Sequence, residues 1–239
     1  MGVDSPSPKK IQFFILTLLA LMVVGCAIPS YTISLNEVVE KELEKEPPVI
    51  YGFRCTVGAH RGASLDHKEN TLTALKAADE NRKYAFVEFD VQYSADNQIV
   101  VFHDKRLLRL FGNLKAIGKT SFDELLEITG GEVAAYAEVM DVLTKKINIE
   151  IKAQGDPDED RRLADEIIAD IRARKRCKEV LISSISDDLI KYINGKYPEI
   201  PTGQVFWLTS STYLHFDFLT EKLYEKFNAT RADYLMLYV

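Results

Sequence analysis

Apolar residues fall along the chain in short runs separated by longer stretches with helical spacing. Val57-Gly58-Ala59, Ala85-Phe86-Val87, Ile99-Val100-Val101-Phe102 and Ile147-Asn148-Ile149 are of strand length, and Val180–Ser183, Thr202–Trp207 and Tyr234–Val239 continue the series. Runs this short, bounded by polar residues, predict buried strands. Between them lie predicted helices. Asn70-Thr71 can cap one from Leu72 to about Arg82, and Ser121-Phe122-Asp123-Glu124 reads as a capping box opening another through Ile128. Tyr136–Lys145, Asp187–Asn194 and Leu219–Phe227 are shorter candidates, and Asp160–Arg174 carries Leu163, Ile167 and Ile171 four apart on one face. Leu107–Thr120 reads as irregular. Strands alternating with helices predict a parallel α/β fold. One connection breaks the rule. Only Ser94 to Gln98 separate the second strand from the third, whereas a parallel crossover needs about a dozen residues. These two strands must form an antiparallel hairpin, and a turn centred on Asp96-Asn97 would set Asp90 opposite His103.

The chemistry sits where these runs end. His60-Arg61-Gly62 closes the first run, Glu88 and Asp90 interrupt the second, His103-Asp104 closes the third, and Glu150 and Lys152 interrupt the fourth. A parallel α/β barrel places its chemistry at the C-terminal ends of several strands. Any one of these residues alone reads equally well as a solvated strand end, a turn or a surface ion pair. Together they amount to two histidines and three carboxylates, enough to hold a divalent cation and move protons beside it. Glu88 and Asp90 are two apart on a strand and share a face. With Glu150 they form an oxygen-rich candidate site for Mg²⁺ or Ca²⁺. His67 and His215 lie in polar or mixed surroundings and receive no role.

The 239 residues suffice for one large domain, and 46% hydrophobic content is enough to fill its core. A net charge of −6 argues against nucleic acid as a partner. The one basic cluster, Arg172 to Arg176, falls at a predicted helix C-terminus, where the helix dipole favours cations. Cys26, Cys55 and Cys177 show no zinc-finger spacing. Cys55 and Cys177 precede strands too far apart in the barrel for a disulfide. At the start, Lys9-Lys10 precede an unbroken apolar stretch from Phe13 to Val24. Residues 1–26 therefore read as an export signal, and Val23-Val24-Gly25-Cys26 is similar to a bacterial lipobox that would leave Cys26 lipidated. An uncleaved anchor over Ile11–Ile28 is the competing reading. Either puts the body of the chain outside the cytoplasm, at the cell envelope. Residues 27–50, rich in Glu and Lys and ending in Pro47-Pro48, read as a spacer, and 51–239 as the barrel domain.

The ordered set His60-Arg61-Gly62, Glu69-Asn70-Thr71, Glu88-Phe89-Asp90-Val91, Val100-Val101-Phe102-His103-Asp104 and Asn148-Ile149-Glu150-Ile151-Lys152 resembles the glycerophosphodiester phosphodiesterase family. The resemblance implies a TIM-type (β/α) barrel and metal-dependent hydrolysis of small-molecule glycerophosphodiesters to sn-glycerol 3-phosphate and an alcohol. It implies His60 and His103 as general acid and base, Arg61 and Lys152 as phosphate ligands, and Glu88, Asp90 and Glu150 as ligands of Mg²⁺ or Ca²⁺. Glu69 would belong to a substrate or metal network. The attacking oxygen is either water or a substrate hydroxyl acting through a cyclic phosphate. Two departures from the family pattern bear on this expectation. Lys68 stands where the family carries proline, and the sequence stops at Val239 within the sixth barrel strand, so the barrel is expected to lack its last one or two strand–helix units. The alternatives are a hydrolase of the lysophospholipase D or sphingomyelinase D kind, or a truncated, inactive, membrane-tethered binding module. Nothing in the sequence fixes the oligomeric state.

Overall fold

The computed structural model describes residues 56–207 and 225–238. The expected targeting segment with Cys26, the spacer, Cys55, His215 and the first part of the helix expected from Leu219 lie outside the described residues. In chain order the elements are β1 (Gly58–Ala59), α1 (Leu72–Glu80), β2 (Phe86–Tyr93), β3 (Ile99–Val101), α2 (Leu108–Phe111), α3 (Phe122–Thr129), β4 (Ala134–Ala135), α4 (Tyr136–Val142), β5 (Lys146–Ile151), α5 (Pro157–Ala173), β6 (Val180–Ser184), α6 (Asp187–Lys196), β7 (Thr202–Trp207), a helical turn at 225–230, and β8 (Tyr234–Tyr238).

Strands β1, β2, β5, β6, β7 and β8 run parallel in that order. Along β2, Val87, Phe89 and Val91 are fully buried on the face that packs against the helices. They share one core with Ile147, Ile149 and Ile151 of β5 and with Leu163, Ile167, Ile168 and Ile171 of α5. The intervening positions of β2 carry Glu88, Asp90 and Gln92. The strand period of two thus separates a hydrocarbon face from a polar one on the same strand, and the polar face makes the site. Helix α5 starts at Pro157, ahead of the expected Asp160. Asp156 accepts a bond from the Asp158 amide at 2.9 Å, and proline at the first helical position needs no amide partner.

The expected hairpin forms, but its register differs by one residue. Val91 pairs with Val101, Gln92 with Val100 and Tyr93 with Ile99. Asp90 therefore lies across from Phe102, whose amide donates to the Asp90 carbonyl at 3.0 Å, and not from His103. The cause is the turn. Ser94 N–H donates to Gln98 C=O at 2.9 Å, and Asn97 takes a left-handed φ of 61°. This closes a loop of three residues, Ala95-Asp96-Asn97, centred on Asp96, and an odd loop shifts the pairing by one. β3 ends at Val101, so His103 leaves the ladder and approaches the site from a loop.

The stretch from Leu107 to Thr120 is more ordered than its sequence predicts. It contains α2 and a 3₁₀ turn at Ile117–Lys119, and its Ala116 bridges to Arg106 just before it. Val100, Phe102, Leu107, Ile117, Leu125 and Val133 close over it as a second, smaller core. β4, too short to stand out as an apolar run, pairs antiparallel with β3 and anchors the return of this excursion.

Candidate active site

Four strand ends build the site. After β1 the chain turns sharply through Arg61 (φ 57°) and Gly62 (φ 81°). A Cβ at position 62 would lie 2.7 Å from both the backbone carbon and the backbone oxygen of Ala74 in α1. Only glycine fits there, because it must tolerate both the left-handed backbone and the close approach of a helix. The turn aims the Arg61 amide at Glu88, donating to Oε2 at 2.7 Å. Asn70, also left-handed at φ 59°, is buried and grips Asp90 twice. Its Nδ2 donates to Asp90 Oδ2 at 2.8 Å, and its Oδ1 accepts from the Asp90 amide at 3.2 Å.

β5 runs alongside β2 in a register that sets Glu88 beside Asn148 and Asp90 beside Glu150. Glu88, Asp90 and Glu150 each offer a ligand oxygen, and these oxygens all lie within 4.8 Å of one another. Three carboxylates held this close repel one another. Burial and the neighbouring Asp90 charge, with a smaller contribution from Glu150, push the Glu88 carboxyl well above the usual carboxylate range. Its Oε1 is buried and meets no hydrogen-bond partner. Lys152 answers part of this charge: its Nζ lies 3.0 Å from Asp90 Oδ1 and 2.5 Å from Glu150 Oε1. Burial opposes the charged ammonium, but the Asp90 and Glu150 charges outweigh it and hold Lys152 above its ordinary value. The donor set fits a hard divalent cation. It is all oxygen, clustered, negative, and contains a buried oxygen without a partner.

His60 and His103 flank this group. His60 Nε2 lies 3.9 Å from Glu88 Oε2, and its ring is about half exposed, 56% by side chain. Burial of the remainder and the Arg61 charge draw its pKa below the ordinary imidazole value. His103 Nδ1 lies 2.6 Å from Asp104 Oδ1. Both histidines, with Arg61, Glu150 and Lys152, line one cleft of about 610 Å³ whose apolar side is Ile185 and Val205. Arg61 packs behind the carboxylates, with Nη1 donating to Glu69 Oε1 at 2.8 Å and Nε 3.4 Å from Asp90 Oδ2. Glu69, held by Arg109 and Arg61, has its pKa lowered by those bonds.

His60, Arg61, Glu88, Asp90, His103, Glu150 and Lys152, from the strand ends, are therefore brought together, and Glu69 joins them through Arg61. Two contributors go beyond what the sequence pattern marks. Asn70 and Thr71 together fit a helix cap, but Thr71 alone caps α1, accepting from the Ala74 amide at 3.2 Å, while Asn70 turns inward to Asp90. Arg109 lies in the stretch whose sequence reads as irregular, and no spacing points to it.

The glycerophosphoryl diester phosphodiesterase family model matches residues 60–233. A glycerophosphodiester phosphodiesterase of Thermotoga maritima is 31% identical and superposes with a TM-score of 0.58 over 77% of this chain and 74% of that one. A phosphodiesterase of Oleispira antarctica, solved with the product sn-glycerol-3-phosphate, shares the fold at 22% identity, with a TM-score of 0.55 over 79% of this chain and 86% of that one. Human lysophospholipase D GDPD3 is 27% identical over 68% of this chain, a match spanning 56% of the human protein. A glycerophosphodiester phosphodiesterase of Bacillus subtilis is 23% identical over 79% of this chain and 70% of its own length. With its TIM-barrel-like α/β fold and a match over most of its length, this chain belongs to the glycerophosphoryl diester phosphodiesterase family.

Proposed function

We propose that the chain hydrolyses glycerophosphodiesters to sn-glycerol 3-phosphate and an alcohol, with a divalent cation and two-histidine acid–base catalysis. The observation that carries this reading is the cluster of Glu88, Asp90 and Glu150, within 4.8 Å of one another, whose member Glu150 lines one cleft with His60, His103 and Lys152. A phosphodiester presents negative oxygens and needs two proton transfers, one at the attacking oxygen and one at the leaving group. Glu88, Asp90 and Glu150 would hold Mg²⁺ or Ca²⁺, which when bound supplies Lewis acidity toward a phosphate oxygen and a more acidic attacking hydroxyl. His60 and His103 exchange the two protons, and imidazole is suited to this because it titrates near neutrality. Lys152 and Arg61 bring positive charge to the phosphate side of the cleft.

One feature favours a second reading. Ile185 is 47% exposed and faces the cleft with Val205, an apolar wall suited to the acyl chain of a lysophospholipid, and the human relative bears the name lysophospholipase D. The envelope placement rests on Phe13–Val24 and Cys26, and labelling with a radioactive fatty acid, lost in C26S, separates a lipidated Cys26 from an uncleaved anchor. The function is tested by glycerol 3-phosphate release from glycerophosphocholine, with Mg²⁺, with Ca²⁺ and with chelator, alongside His60→Ala. Release that needs the cation and His60 supports the proposal. Choline release from lysophosphatidylcholine alone favours the lipid substrate, and no release from a folded protein rejects both.

A further inference from the structure

Arg109 touches neither His60 nor the three clustered carboxylates, yet it holds together the two loops that carry the rest of the site. Its Nε donates to Asp104 Oδ2 at 2.7 Å and its Nη2 to Asp104 Oδ1 at 3.1 Å. On its other side, Nη1 donates to Glu69 Oε2 at 2.9 Å and Nη2 to Glu69 Oε1 at 2.5 Å. One planar guanidinium thus forks onto both oxygens of two carboxylates. Asp104 Oδ1 also meets His103 Nδ1 at 2.6 Å, and Glu69 Oε1 also accepts from Arg61 Nη1 at 2.8 Å. A continuous chain of hydrogen bonds runs from His103 through Asp104, Arg109 and Glu69 to Arg61. It joins the loop after β3 to the loop after β1.

We propose that Arg109 is the positioning residue of this site, fixing His103 through Asp104 and Arg61 through Glu69. The proposal rests on the phosphodiesterase reading for its kinetic consequence. Its structural consequence is independent of that reading. A carboxylate on Nδ1 selects the tautomer that carries its proton there and leaves Nε2 as the atom offered to the cleft. Asp104 can do this only if it is itself held, since it lies on a loop beyond the end of β3. The geometry demands arginine rather than lysine, because an ammonium is a point donor and cannot meet two carboxylates edge-on in one plane. The Arg109 side chain is 47% exposed, so its replacement opens no core.

R109K in the full chain keeps the charge and removes the double fork. The expected result is a fall in kcat of about tenfold to a hundredfold on glycerophosphocholine, larger than the rise in KM that a loosened Arg61 brings. In ¹⁵N-labelled protein, the His103 imidazole, assigned by its absence in H103Q, shows a single Nδ1–H tautomer in the native chain and a mixture in R109K. D104A, which removes the acceptor from His103 while Arg109 keeps its bonds to Glu69, reproduces that mixture. A rise in KM with kcat intact would make Arg109 a substrate ligand and overturn the proposal. So would an unchanged tautomer in R109K. If the native chain itself is inactive on glycerophosphocholine, the phosphodiesterase reading fails, while the tautomer comparison still decides the role of Arg109.

Discussion

Asn70 offers the sharpest test of how the fold holds the site. Its side chain is almost wholly buried and its two bonds both end on Asp90. Asn70→Ala removes a hydrogen bond to a buried carboxylate, worth about 1.5–3 kcal/mol, and leaves the Asp90 amide without its side-chain acceptor at a cost of about 1–3 kcal/mol. The backbone at φ 59° adds a further cost. Asparagine visits the left-handed region readily, whereas alanine there costs about 1 kcal/mol. The expected loss is about 3.5–7 kcal/mol, a large share of a domain's total stability. Asn70→Gly loses the same bonds but relieves the backbone, so it should be about 1 kcal/mol more stable than Asn70→Ala. Urea unfolding of the metal-free protein, read as midpoint and slope for all three proteins, measures both differences. A loss below about 1 kcal/mol in Asn70→Ala refutes the claim that Asn70 anchors Asp90. Equal stability of the glycine and alanine variants refutes the strain argument separately. Asn70→Asp sharpens the electrostatics by placing a fourth carboxylate beside Asp90, and added Mg²⁺ should restore part of the stability it loses.

Further outcomes follow from the same geometry. A divalent cation at about a hundred times its Kd should stabilise the protein by about 2.7 kcal/mol, seen as a rise in melting temperature that chelator reverses and Glu150→Gln abolishes. Glu88 has its pKa raised in the folded state, so the folded protein holds a proton there that the unfolded chain releases. Its contribution is complete below the unfolded value near 4.5 and is lost as pH rises through the folded pKa. Metal-free native protein should therefore lose stability relative to Glu88→Gln as pH rises above about 5, and a difference independent of pH would contradict the burial of a protonated Glu88. Gly62→Ala should lower the melting temperature by several degrees, roughly 2–4 °C for each kcal/mol, because the added methyl meets the backbone of Ala74 rather than a movable side chain. An unchanged melting curve would show that the turn relaxes.

The strand ends are legible in the sequence because a period of two and a period near four differ visibly, and polar residues closing apolar runs mark where a parallel sheet does its chemistry. Glu88, Asp90 and Glu150 can be grouped from the sequence alone, since strand pairing puts them on one face. What is not legible depends on backbone detail. The hairpin register turns on whether Asn97 adopts a left-handed conformation, which is a choice of one residue in the turn. Asn70 and Thr71 are both good helix caps by type. Which of them caps is decided by the buried Asp90, a residue distant in sequence. Arg109 is hidden because its partners Glu69 and Asp104 meet only after both loops have folded.

The excursion between β3 and β4 has its own apolar core, formed by Val100, Phe102, Leu107, Ile117, Leu125 and Val133. Substitutions inside it need not disturb the packing of α5 against β5. It is therefore a graftable part. Exchanging it between relatives should retune how His103 is presented while leaving the carboxylate cluster and the sheet beneath it intact. In this fold, the presentation of His103 can vary while the cation site is held, provided the exchanged part keeps the Arg109–Glu69 contact that ties it to the loop after β1.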